Sequence, residues 1–183
     1  MSEYAIDPQI IVDFWRDAGP ERWFAKSDAF DATIRQRFGD IYEQAAAGDR
    51  DAWIEEPTGA LALVILLDQF PRNIFRNSPQ AFATDAKALA IARTALARGD
   101  DRIVGEDLNA FLAMPLMHSE NLADQEACVV WMETIGGAGN RKAAAEHRDI
   151  IARFGRFPHR NAVLGRQSTP EELEFLASGG FSG

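Results

Sequence analysis

Apolar residues in this chain recur at spacings of three and four, and the helices they predict follow one another from end to end. Asp7 before Pro8 is an N-cap with proline at the first helical position, and Ile10, Ile11, Phe14 and Trp15 form one stripe that Gly19-Pro20 stops. The first helix is expected over residues 8 to 18. Ser27 caps a second, in which Phe30, Ile34, Phe38, Ile41 and Ala45 share a face and Gly48 is the left-handed terminator. Thr58 opens a third, apolar all round from Ala60 to Leu67, which should be the central buried helix and should stop before Pro71. Further helices are expected near Pro79 to Arg98, Glu106 to Ala113, Glu120 to Ile135 and Arg141 to Phe154. Thr169-Pro170-Glu171-Glu172 reads as a capping box for a last helix, which Gly179-Gly180 closes. No stretch of clean alternation argues for a strand. The short connections fit antiparallel helix pairs, so the expectation is an all-α fold of about eight helices, in one domain spanning residues 1–183.

Composition narrows what such a fold can do. At 46% hydrophobic, a chain of 183 residues buries about 70% of its unfolded surface around one core. Its 28 acidic against 19 basic side chains, net −9, repel phosphate backbones, so nucleic acid is not an expected partner. The longest strongly apolar run, Ala60 to Leu67, falls far short of the roughly 20 residues that cross a bilayer. MSEYAIDPQ at the N-terminus lacks the basic flank and apolar run of a signal peptide. No membrane association is expected, and the lone Cys128 suits a reducing compartment, so the expected location is the cytoplasm.

Against that acidic background, RFGRFPHRN (Arg153 to Asn161) gathers three arginines and a histidine in nine positions, and QFPRN (Gln69 to Asn73) closes the apolar third helix with a similar phrase. Arg153 and Arg156 flank a helix end, where a cation gains roughly 0.3–1 kcal/mol from the dipole. Asp68 is harder to place, because a carboxylate in the last turn of an apolar helix opposes the dipole and needs a cation. If the two phrases meet, Asp68, Gln69, Arg72 and Asn73 stand beside His159, Arg160 and Asn161, with His118 and Glu120 of MHSE on the third side. One reading is an ion-pair network that fastens loops to helix ends. The other is a pocket in which Arg72 and Arg160 hold a carboxylate or phosphate while His118, His159 or Glu120 moves a proton. Arg72, Arg156 and Arg160 against Asp68 and Glu120 leave one guanidinium to seek an anion. The leading function is therefore binding of a small anionic ligand or an acidic peptide terminus. The rivals are a metal-independent hydrolase or lyase with His118 or His159 as acid or base, and a protein-interaction module with an exposed helical groove. No cofactor is implied. His118, Glu120, His147 and His159 are zinc-ligating residue types, but neither HExxH nor paired cysteines are present, so no metal is expected.

Other polar residues have structural roles in prospect. His147 lies on an apolar stripe, Ser119 is placed to cap the helix at Glu120, and Cys128 sits mid-helix among apolar neighbours. GGAG (136–139) follows a helix as a terminator, and the four tryptophans serve a core or a subunit contact. The phrases DFWRD (Asp13 to Asp17), RWFAKSDAFD (Arg22 to Asp31), LALVILLDQFPRNIFR (Leu61 to Arg76), AFATDAKAL (Ala81 to Leu89), FLAMPLMHSENLADQE (Phe111 to Glu126) and RFGRFPHRNAVLGRQSTPEELEFL (Arg153 to Leu176) resemble the bacterial family catalogued as domain of unknown function 924. That resemblance implies a tetratricopeptide-repeat-like helical fold, although no 34-residue repeat is legible here, and it transfers no activity.

Overall fold

The computed structural model describes residues 6–181, and every regular element among them is helical. Helix α1 (Pro8–Ala18) starts where Asp7 accepts the Gln9 N–H at 2.9 Å. After a single turn, α2 (Pro20–Trp23), comes α3 (Asp28–Ala47), capped by Ser27 and closed by Gly48 at a φ of 101°. The ends of α1 and α3 were legible because they depend on local chemistry; the short α2 was not, since Gly19-Pro20 reads only as a stop.

The third predicted helix departs from expectation. Helix α4 (Pro57–Val64) runs into a π turn (Ile65–Gln69) and on through α5 (Phe70–Ile74), so the chain stays helical past Pro71. A proline ring crowds the carbonyl four residues back and offers it no hydrogen. The wider turn absorbs that defect: the Phe70 N–H reaches back to the Ile65 carbonyl, and the orphaned Leu67 carbonyl accepts the Thr84 hydroxyl at 2.6 Å. Residues 60–67 are fully buried, as the missing polar face required. Each leucine or isoleucine there contributes about 1.5–3 kcal/mol by leaving water. At Gly59 a side chain would collide with the Trp53 carbonyl, so glycine lets a 3-10 turn (Asp51–Glu55) cross the rod closely.

Around this rod pack α1, α3 and α6 (Asp85–Arg98). The helix expected from Pro79 breaks at its start into a 3-10 turn, Pro79–Phe82, before α6 begins. The segment expected near Glu106 is instead a 3-10 turn (Asn109–Ala113) that passes into α7 (Met114–Met117), where Pro115 lies in the first turn and needs no N–H partner. Helices α8 (Leu122–Ile135) and α9 (Ala138–Phe154) form an antiparallel pair separated by Gly136-Gly137. Only those two glycines of GGAG interrupt; Ala138 and Gly139 already belong to α9. Asn121, not Ser119, caps α8, while Ser119 donates its hydroxyl to Asp124 at 2.7 Å. The last helix, α10 (Pro170–Ala177), carries the predicted capping box in both directions. A second small core of Ile150, Ile151 and Phe157, with Phe154, Phe175 and Phe181 against it, ties this C-terminal part together.

Candidate functional site

The π turn decides where Asp68 points. Fully buried, it aims at His118, the residue that ends α7, whose Nδ1 stands 2.8 and 2.9 Å from its two oxygens. Gln69 Nε2 donates to Asp68 Oδ2 at 2.6 Å, and Arg72 Nη1 lies 3.3 Å from Oδ1. Because the helix continues through Pro71, Arg72 keeps the i,i+4 relation that an early stop would have removed. Asp68 therefore draws its cation from its own helix and not, as the sequence suggested, from FPHRN. Burial pushes its carboxyl up, but Arg72, His118 and the bonds from His118 and Gln69 outweigh that and hold it at about 2.

Asp85 is the member that sequence reasoning missed. As the first residue of α6 it accepts both Nη1 and Nη2 of Arg72, each at 3.0 Å, and lies 3.7 Å from Arg160 Nη1. Burial and the nearby Asp68 charge raise its carboxyl despite Arg72. Arg160, in a 3-10 turn (Pro158–Arg160), lies over the rings of both Phe82 and Phe157, with its guanidinium 4.7 and 4.5 Å from the ring centres. Burial, then Arg72, depresses it to about 10, still fully charged near neutrality. Its Nε is buried without a protein partner among the described residues. The chain His118–Asp68–Arg72–Asp85–Arg160 is thus continuous. Its floor, Asp68, is sealed, while the side chains of His118, Arg72 and Asp85 remain 17, 22 and 21% exposed.

The other predicted members are engaged elsewhere. Glu120 receives Arg166 on both oxygens at 2.7 and 2.9 Å and the Phe157 N–H at 2.8 Å. Arg156 grips Glu172 at 2.6 and 2.8 Å, and Asn161 donates to the same carboxylate at 3.1 Å. Glu172 also accepts the Thr169 N–H, and Arg156 with these bonds holds its carboxyl at about 2. Asn73 faces away and donates to Asp31, which also binds Arg76. The spare guanidinium counted from sequence disappears, because Glu172 answers Arg156 and Asp85 enters beside Arg72 and Arg160. His159 packs against Phe157 and Phe181, its Nδ1 buried without a protein partner among the described residues; burial and Arg160 lower it to about 4.

The structural roles foreseen for two further residues hold. His147 Nδ1 donates to the Ala143 carbonyl at 2.7 Å, and Cys128 is fully buried, its thiol pushed up to about 12 by burial. Trp15 is sealed in the core and accepts the Trp23 indole on its backbone carbonyl at 2.6 Å. Among the described residues no group of three or more His, Cys, Asp or Glu side chains is arranged to hold a metal ion. No helix among them is long and apolar enough to cross a membrane. An open concavity of about 360 Å³ lies elsewhere, lined by Phe14 and Phe30 with Asp13, Asp17, Arg22 and Arg37.

A solved structure, that of a protein of unknown function from Agrobacterium tumefaciens, is similar to this chain with 46% identity and a TM-score of 0.91, covering 94% of this chain and 97% of that one. Comparison with curated proteins gives no match. A model of the family described as bacterial protein of unknown function (DUF924) matches residues 11–180, and the chain belongs to that family.

Proposed function

We propose that the guanidinium edge of Arg160 binds a small anionic ligand, a carboxylate or phosphate group carried by a metabolite or an acidic peptide terminus. One observation carries this reading: Arg160 is a buried cation without a full set of partners. Its Nε is sealed and unpaired, and its nearest carboxylate is 3.7 Å away on Asp85, which already binds Arg72 with both oxygens. Nη1 and Nη2 make no hydrogen bond to protein among the described residues either, yet they are not sealed, so they form the edge that a ligand meets. Contact with Phe82 and Phe157 restrains the guanidinium before anything binds, so little rotamer freedom is lost on binding. An oxyanion on that fork would supply the hydrogen bonds that the distant Asp85 does not, through two charge-assisted bonds.

Thermal melting tests the reading. Phosphate should raise the melting temperature in a saturable way, by about 2.7 kcal/mol of stabilisation at a hundredfold excess over Kd, or several degrees for a chain of this size. Arg160→Met, which keeps the stem beside the two rings and removes the fork, should abolish the rise. Equal stabilisation by chloride at matched ionic strength would mean only that surface charge is being screened, and the binding reading would then fail.

A further inference from the structure

Three side chains of the cluster are of a type that moves protons, and their surroundings separate them. Glu120 is fixed as a carboxylate by Arg166 and the Phe157 N–H. His159 has no carboxylate to orient it, and its Nδ1 is sealed among aromatic rings. His118 differs in both respects. A carboxylate only accepts, so the Nδ1 facing Asp68 carries the ring hydrogen and Nε2 keeps its lone pair. Nε2 has no protein partner among the described residues, yet it is not sealed, so it meets solvent at the rim. Gln69 and Arg72 pin the other side of Asp68, which leaves the imidazole one orientation. Burial, then Arg72, lowers the His118 pKa, so the ring is neutral at pH 7.

Among the described residues no side-chain nucleophile bonds to that nitrogen. Ser119, next in sequence, gives its hydroxyl hydrogen to Asp124 at 2.7 Å, and Cys128 is fully buried against the Ala113 carbonyl. Water is therefore the nucleophile that the exposed rim offers. We infer that His118, oriented by Asp68, is a general base that activates water for hydrolysis of a small ester whose anionic group sits on Arg160, an inference that rests on the anion-binding reading above. Nε2 takes a proton from water as the water oxygen bonds to the acyl carbon, and the carbonyl electron pair moves onto its oxygen near the positive field of Arg72. That pair returns as the bond to the leaving oxygen breaks, the proton passes from Nε2 to the alkoxide, and an acid and an alcohol depart. Asp68 is a positioning residue that steadies the transient imidazolium.

The probe is 4-nitrophenyl hemisuccinate, an ester with a free carboxylate, compared with 4-nitrophenyl acetate, which has none; released 4-nitrophenolate is the readout. The protein should turn over the hemisuccinate saturably, with kcat/KM at least about tenfold above that for the acetate. His118→Gln should lower kcat by roughly 10²–10⁴-fold while keeping the phosphate-induced rise in melting temperature. Arg160→Met should raise KM and lose that rise. Asp68→Asn, whose amide donates to Nδ1 and turns the ring to its Nε2–H tautomer, should lower kcat with little change in KM. Nitrogen-15 NMR of histidine-labelled protein should show His118 as the Nδ1–H tautomer at pH 7, a test that needs no variant to fold. The base role is overturned by hemisuccinate hydrolysis no faster than in buffer, by undiminished kcat in His118→Gln, or by an Nε2–H tautomer in the unaltered protein. If phosphate still stabilises that protein, the anion-binding reading survives the loss. Turnover that depends on His118 without any phosphate effect supports the base and overturns anion binding at Arg160 alone.

Discussion

Replacing Asp68 by alanine should destabilise the protein by about 2–4 kcal/mol, and the structure fixes why the figure is not larger. Breaking a buried ion pair ordinarily costs roughly 3–5 kcal/mol because an uncompensated charge stays behind. Here Arg72 retains both bonds to Asp85 at 3.0 Å, so no cation is stranded. What remains is two donors without an acceptor. Gln69 Nε2 would be left with only Met114 Sδ at 3.6 Å, and His118 Nδ1 with nothing from Asp68. At about 1–3 kcal/mol for each buried donor left unmet, offset by the relieved desolvation of the carboxylate, the total falls in the stated range. Urea unfolding followed by far-UV circular dichroism measures it as a lower midpoint at unchanged slope. A double-mutant cycle with Arg72→Met should then show a coupling of at least about 1 kcal/mol. A change below about 0.5 kcal/mol, or no coupling, refutes the claim that these side chains form one network.

Three further outcomes follow from single contacts. Thr84→Val removes the hydroxyl that satisfies Leu67 beside Pro71, and should cost about 1–3 kcal/mol in the same urea assay; a neutral result means that the π turn tolerates an orphan carbonyl. Glu172→Gln weakens the bidentate grip of Arg156, and should speed proteolysis within residues 155–169 before the rest of the chain is cut, as mass spectrometry of the fragments would show. The pKa values of His118, His147 and His159 are lowered chiefly by burial, so the folded state resists their protonation and the unfolded state takes up more protons below 6.5. Stability should be full above about pH 6.5 and fall below it, down to about 4 for His159, by up to about 1.4 kcal/mol per pH unit for each histidine still neutral in the folded state, and a urea midpoint flat below pH 6.5 contradicts the burial.

Helix ends were legible in the sequence and long-range partners were not, for a physical reason. Asp7, Ser27, Gly48 and Thr169 act on backbone within three or four residues, so their type and spacing determine the geometry. Pro71 misled because the rule that proline ends a helix assumes that the orphaned carbonyl finds nothing else. Thr84, thirteen residues beyond, supplied a hydroxyl through tertiary packing. The candidate site shows the same division. Asp68, Arg72 and Arg160 were assembled from two similar phrases and a need for counter-charge, with His118 of MHSE on the third side. Asp85, Arg166 and Glu172 lie outside those phrases, and only packing brings them to Arg72, Glu120 and Arg156. One signal was available: Glu172 stood in a visible capping box, which sets a carboxylate at a helix start close to wherever the preceding arginines fold back.

The cations gathered in RFGRFPHRN divide by residue. Arg153 pairs with Glu171 and Arg156 with Glu172, both in the first turn of α10, so these two lash the end of α9 to the start of the next helix. Arg156 fastens through three hydrogen bonds, two of them to the Glu172 carboxylate. Arg160 does not. It is the most buried of the three, yet makes one long contact and leaves its Nε unmet. A network selected only for stability would replace such a cation by an apolar side chain, since Phe82 and Phe157 already provide the packing. The same argument applies to His118, whose inner nitrogen is bound and whose outer nitrogen is not. The unmet groups of Arg160 and His118 lie at the two ends of one chain of contacts that runs through Asp68, Arg72 and Asp85. Neighbouring Asn161 and Arg166 also leave one buried atom each without a partner, Oδ1 and Nε, but their other groups are bonded to Ser168, Glu172 and Glu120, whereas the Arg160 guanidinium makes no hydrogen bond to protein among the described residues. Mutagenesis of Arg160 and His118, before any other residue in the cluster, therefore tests the proposed ligand site.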